Sequence, residues 1–184
     1  MKELIAAAAL LFLVPALASA QNTDHRDPGQ GYLFYGVAAG IIPGGNSDMP
    51  WGVEYVYPVD MRVQQLGLGG EAFLHKGLGA GGEVSHASWA GNNAAWIVSG
   101  DLSYHFRRHA RRGGVDPFVL GGVSFVRFRE TAQGHTSPAG NFGVGANVWL
   151  AKHAALRFEC RDVVGADSWS FSHVVSFRIG VTFG

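Results

Sequence analysis

The chain has 184 residues, a single cysteine (Cys160), and 14 acidic against 14 basic side chains. That balance leaves no net basic surface for a phosphate backbone, so nucleic acid is not an expected partner. One cysteine rules out an intrachain disulfide, and the length suits one domain.

The first residues have the layout of a cleaved secretory signal: Lys2, an apolar run from Leu4 to Val14, Pro15, then Ala18-Ser19-Ala20 before Gln21. The run is shorter than the ~20 residues that a membrane-crossing helix needs. Residues 1–20 are therefore expected to be a signal peptide and residues 21–30 a short periplasmic extension, with a single barrel over residues 31–184. No second apolar run of helical length follows, so membrane residence requires strands.

From Gly31 onward, segments of about ten residues alternate with period two between turn-forming clusters, the pattern of membrane-spanning strands. The first segment sets Leu33, Tyr35, Val37, Ala39 and Ile41 against Tyr32, Phe34, Gly36, Ala38 and Gly40. The second sets Leu66, Leu68, Ala72 and Leu74 against Gly67, Gly69, Glu71 and His75. After a tight turn at Lys76-Gly77, the third sets Leu78, Ala80 and Val84 against Gly79, Gly81, Glu83 and Ser85. The fourth has Trp96, Val98, Leu102, Tyr104 and Phe106 opposite Ser99, Asp101 and Ser103. The fifth, Val115 to Arg129, is apolar on both faces around Gly121-Gly122, and its phase is open.

In the sixth, Phe142, Val144, Ala146, Val148 and Leu150 oppose Asn141, Gly143, Gly145 and Asn147. A turn at Lys152-His153 leads to the seventh, with Leu156, Phe158 and Cys160 opposite Arg157, Glu159 and Arg161. The eighth sets Val175, Phe177, Ile179, Val181 and Phe183 against Ser176, Arg178, Gly180 and Thr182. The expected fold is all-β: an eight-stranded antiparallel up-and-down transmembrane β-barrel. Tight turns should face the periplasm, together with the basic connection Arg107 to Gly114. Mostly longer connections, Pro43 to Gln64, Ala90 to Asn93, Glu130 to Ala139 and Gly165 to Phe171, should face outward.

Glycines decide which face meets lipid. They cluster on the polar phase, where a solvent-facing sheet would be weakened by them, whereas a narrow lumen needs small residues beside large or charged ones. The enclosed phase then carries Glu71, Glu83 and Asp101 on one wall and Arg157, Glu159, Arg161 and Arg178 on the other. Buried charges persist when paired, and Arg suits bidentate pairing. An ion-paired lumen plug is the expected arrangement, with a narrow conduction path for ions or small solutes as the alternative.

Other candidates are weaker. His86 and Ser88 share the lipid-facing phase near the outer rim, where an acyl hydrolase would place its base and nucleophile. Lipid A deacylases use such a His-x-Ser arrangement, but Trp89 follows Ser88 here and Glu83 points the other way, so no catalytic residue is expected. Arg107, Arg108, Arg111 and Arg112 read as a solvated turn that could also meet anionic headgroups. Trp51, Tyr55 and Tyr57 are candidates for loop recognition of an outside ligand. The other histidines show no metal-ligand spacing, and no cofactor is expected.

Three stretches resemble the eight-stranded outer-membrane β-barrels related to the transmembrane domain of OmpA, often labelled porin-like. They are Asn141-Phe-Gly-Val-Gly-Ala-Asn-Val-Trp149, Ala155-Leu-Arg-Phe-Glu-Cys-Arg-Asp162 and Val175-Ser-Phe-Arg-Ile-Gly-Val-Thr-Phe183. The resemblance implies residence in a bacterial outer membrane, contact with its lipids, and delivery by the barrel-assembly machinery. The family usually finishes on an aromatic residue, whereas Gly184 follows Phe183 here. It implies no cell-wall tether, since no peptidoglycan-binding segment follows the barrel in this sequence.

Overall fold

A computed structural model describes residues 29–44, 55–89, 93–106, 113–128, 136–167 and 170–184. The expected signal and most of the N-terminal extension lie outside the described residues. Eight strands follow one another: β1 (Gly29–Gly44), β2 (Tyr55–His75), β3 (Leu78–Trp89), β4 (Asn93–His105), β5 (Val115–Phe128), β6 (Thr136–Ala151), β7 (Ala154–Asp167) and β8 (Ser170–Phe183). Each pairs antiparallel with its sequence neighbour, and β1 closes on β8 from Gly31↔Phe183 to Ile41↔His173. Closure leaves no edge within the barrel wall, which is what a hydrocarbon surround demands of a sheet.

Period-two alternation sorts the side chains as the sequence implies. Leu33, Leu66, Leu102, Phe142, Phe177 and Ile179 are exposed on the outer surface. Glu71, Glu83, Arg157, Glu159, Arg161 and Arg178 are buried inside. The glycines make the enclosure workable. A Cβ on Gly67 would come within 2.4 Å of the Phe34 ring, one on Gly69 within 2.5 Å of Tyr32, and one on Gly145 within 2.4 Å of Phe118. Each glycine thus admits a ring from the adjacent strand, since Phe34 pairs with Gly67, Tyr32 with Gly69 and Phe118 with Gly145. Toward the outer end, Ala38, Val63, Ala87 and Ile97 form a small apolar cluster with Val126 and Val174 against it.

The open phase of β5 resolves: Asp116, Phe118, Leu120 and Ser124 are buried, while Val115, Val119, Val123 and Phe125 are exposed. Phe118 and Leu120 can turn inward because they lie opposite Gly145 and Gly143. Two other expectations need correction. His75 is exposed rather than enclosed, because a register shift between Phe73 and His75 ends the alternation just before the turn. The connections are also shorter than expected at the outer end: β7 runs to Asp167 and β8 starts at Ser170, and β1 reaches Gly44 while β2 starts at Tyr55. Tyr55 and Tyr57 therefore lie on a strand, paired with Gly44 and Ile42, and not in a loop. Their run, Tyr55-Val56-Tyr57-Pro58-Val59, is rich in aromatic and β-branched residues, which favours strand. Pro58 is tolerated because this upper part of β2 pairs with β1, while pairing with β3 begins only at Gln64↔Ser88.

Candidate functional site: the charged lumen

The alternation of β7 puts Arg157, Glu159 and Arg161 on one inward face, and Arg178 of β8 lies directly opposite Glu159. Glu159 is the hub of this wall. It accepts from Arg157 at 2.8 Å, from Arg161 at 2.7 Å and from Arg178 at 3.2 Å. The arginines also reach across the lumen. Arg178 Nη1 donates to Glu83 at 2.9 Å, and Arg161 meets Asp101 at 3.0 Å and Glu83 at 3.3 Å. Arg157 Nη1 approaches Glu71 at 3.8 Å, an ion-pair distance without hydrogen-bond geometry.

Aromatic rings hold the guanidinium groups in place. The Arg157 guanidinium is 4.3 Å from the Tyr32 ring centre and 4.0 Å from that of Phe118, so it is sandwiched between β1 and β5. Arg178 lies 4.5 Å from the Phe34 ring centre. Desolvated cation–π contacts of this sort contribute on the order of 2 kcal/mol. Arg161 has no exposed surface at all, and a charge so enclosed requires partners on every side.

A second polar layer lies nearer the tight turns, and sequence reasoning missed Gln30, His105 and Asp116 in it. Gln30 and Ser103 both donate to Glu71. The His105 ring sits between two carboxylates, with Nδ1 2.7 Å from Asp116 and Nε2 3.2 Å from Glu71. Thr182 donates to Asn147 at 3.2 Å. His105 was legible in principle, because it continues the phase of Asp101 and Ser103 on β4. Asp116 was hidden by the two-sided apolar character of β5, and Tyr32 reads from sequence as one aromatic among several. Tyr32 donates to Glu83 at 3.3 Å, which ties β1 into the upper layer.

What family carries this arrangement is decided by the sequence as a whole. A model of the outer membrane protein beta-barrel domain matches residues 4–183. The chain belongs to that family. It is a bacterial outer membrane protein, and the exposed Leu, Val, Ile and Phe of its barrel face lipid. No curated protein matches the chain. Among solved structures it is similar to Neisserial surface protein A, with 9% identity and a TM-score of 0.64 over 84% of this chain and 96% of that one. It is also similar to OprG of Pseudomonas aeruginosa (14% identity, TM-score 0.53, 85% and 96% covered) and to Ail of Yersinia pestis (11% identity, TM-score 0.52, 85% and 98% covered). At these identities the likeness is one of fold.

In this membrane setting the remaining candidates separate. His86 and Ser88 are on the outer surface of β3, and the His86 ring meets Trp96 edge-on at 4.9 Å. Trp96 and Phe142 lie toward the outer end, while Tyr104 and Phe106 pack edge to face at 5.2 Å near the turns, as aromatic girdles would. Glu83, the carboxylate closest in sequence to His86, is committed to the lumen. Cys160 is half-buried on the outer surface. Arg107, Arg108, Arg111, Arg112 and Trp51 lie outside the described residues. Among the described residues no three His, Cys, Asp or Glu side chains converge as a metal site.

Proposed function

We propose that this protein is a non-enzymatic outer-membrane barrel whose lumen is closed by its own ion pairs, serving envelope integrity or surface interactions. The observation that carries this reading is the continuity of the plug. Three arginines join Glu71, Glu83, Asp101 and Glu159 into one cross-lumen network of buried side chains. An eight-stranded barrel has an interior just wide enough for side chains to fill, so such a network occupies the path that a solute would take. His86 supports the non-enzymatic part of the reading, since its ring is engaged by Trp96 and no carboxylate backs it from the lipid side among the described residues.

Planar-bilayer recording tests the closure. The wild-type barrel should show no steady conductance, and Arg178→Ala or Glu83→Ala should introduce one. A steady open level in the wild type would instead establish the channel reading. Mass spectrometry of lipid A from expressing cells tests the enzymatic alternative, and an unchanged acylation pattern is expected. The assembly machinery is the proposed delivery route, and outer-membrane lipids are the proposed surround.

A further inference from the structure

His105 is a buried titratable group to which the closed plug assigns no task. It ends β4, and its backbone N–H donates to the Gly77 carbonyl of the β2–β3 turn at 2.8 Å. Its ring stacks on Phe118 with centres 5.2 Å apart and meets Phe73 edge-on at 5.1 Å. Both ring nitrogens face carboxylates: Nδ1 is 2.7 Å from Asp116 of β5, and Nε2 is 3.2 Å from each oxygen of Glu71 of β2. A neutral imidazole donates from one nitrogen and only accepts at the other, where an ionised carboxylate would be repelled. Glu71 also accepts from Gln30 of β1 and Ser103 of β4, as an ionised carboxylate does. The arrangement therefore requires an imidazolium, with a proton on each nitrogen.

A second cation approaches Glu71 from β7. The Arg157 guanidinium packs 4.0 Å from the centre of the same Phe118 ring, and its Nη1 stands 3.8 Å from Glu71 with no hydrogen-bond partner. A cavity of about 10 Å³, room for about one water, borders Glu71, Ser103 and Arg157. Asp101 also lines it, but Arg161 holds that carboxylate at 3.0 Å. Arg157 can turn to Glu71 without stranding Glu159, which keeps Arg161 and Arg178. Glu71 thus lies between two cations, bound by one and within about 1 Å of a hydrogen bond to the other.

We propose that His105 is a proton-operated latch whose deprotonation passes Glu71 from the imidazole to Arg157. In the protonated state Glu71 and Asp116 clamp the ring and join β2, β4 and β5 near the turns. As pH rises, Nε2 gives its proton to periplasmic water or hydroxide, and Nδ1 keeps its own for Asp116, the closer partner. The bare Nε2 lone pair then repels Glu71, which closes on Nη1 of Arg157. The lower layer changes its cross-lumen partner while the arginine network above it stays closed.

NMR of the nitrogen-labelled barrel in detergent micelles, followed from neutral into alkaline pH, tests the exchange. Both His105 ring nitrogens should read as protonated at neutral pH. Nε2 should lose its proton in one alkaline step, and the Arg157 guanidinium signal should shift in that same step. His105→Gln identifies the His105 signals and should leave Arg157 with no step. Glu71→Gln should abolish the Arg157 step while His105 still titrates. Asp116→Asn removes one of the two carboxylates that hold the proton and should carry both steps together to lower pH. Heat-modifiable migration on gels verifies the fold of each variant, and should one not fold, the coincidence of the two steps in the wild type decides. A bare nitrogen on His105 at neutral pH, two protonated nitrogens throughout the folded range, or an Arg157 signal indifferent to His105 would each overturn the latch.

Discussion

Arg161 shows what one enclosed side chain demands. Its guanidinium lies within 3.3 Å of Glu159, Asp101 and Glu83, three carboxylates from three strands. Arg161→Met keeps the bulk and removes the charge, leaving those acids without their shared cation. Breaking a buried pair in this way costs about 3–5 kcal/mol, so urea unfolding in detergent should show a loss of that order. A loss below about 1 kcal/mol would mean that the remaining arginines or water compensate. Glycines set the opposite limit. Gly67→Leu must displace the Phe34 ring, and overpacking of this kind should cost about 1–3 kcal/mol in the same assay.

At the level of elements, alternation made seven of the eight strands readable, because lipid outside and a filled lumen inside impose opposite polarity on successive residues. β5 resisted because its inward Phe118 and Leu120 are admitted by Gly145 and Gly143 on the next strand, information that no local pattern holds. The extension of β2 to Tyr55 resisted for a related reason: Pro58 reads as a breaker unless one knows that this stretch lies at an edge. The charged wall of β7 was legible from period two alone, whereas the His105–Asp116 contact joins β4 to the strand whose phase was open. Face assignment is testable strand by strand. Leu68→Arg, on the lipid side of β2, should destabilise folding into bilayers by about 2–4 kcal/mol. Ser99→Ala removes only a lumen hydrogen bond to Ser124 and should cost about 0.5–1.5 kcal/mol. The turn between β2 and β3 gives a further check. Lys76 and Gly77 both have positive φ, and a Cβ on Gly77 would lie 2.3 Å from the His105 carbonyl oxygen. Gly77→Ala should therefore lower stability by more than about 1 kcal/mol, whereas Lys76→Asn, which tolerates that φ, should be neutral or stabilising.

For the molecule as a whole, two features act together: the ladder is complete around the wall, and buried charged and polar side chains cross the interior. Such a body should resist cold detergent. Unboiled samples should migrate differently from boiled ones, and Arg161→Met should lower the temperature at which the two bands merge. The distribution of charge along the chain has its own consequence. Glu71, Glu83 and Asp101 belong to β2, β3 and β4, but the arginines that neutralise them come only with β7 and β8. A half-finished sheet released into hydrocarbon would hold Glu83 and Asp101 without their cations, since His105 reaches only Glu71 and Asp116, so the wall is safe to let go only once its final hairpin has arrived.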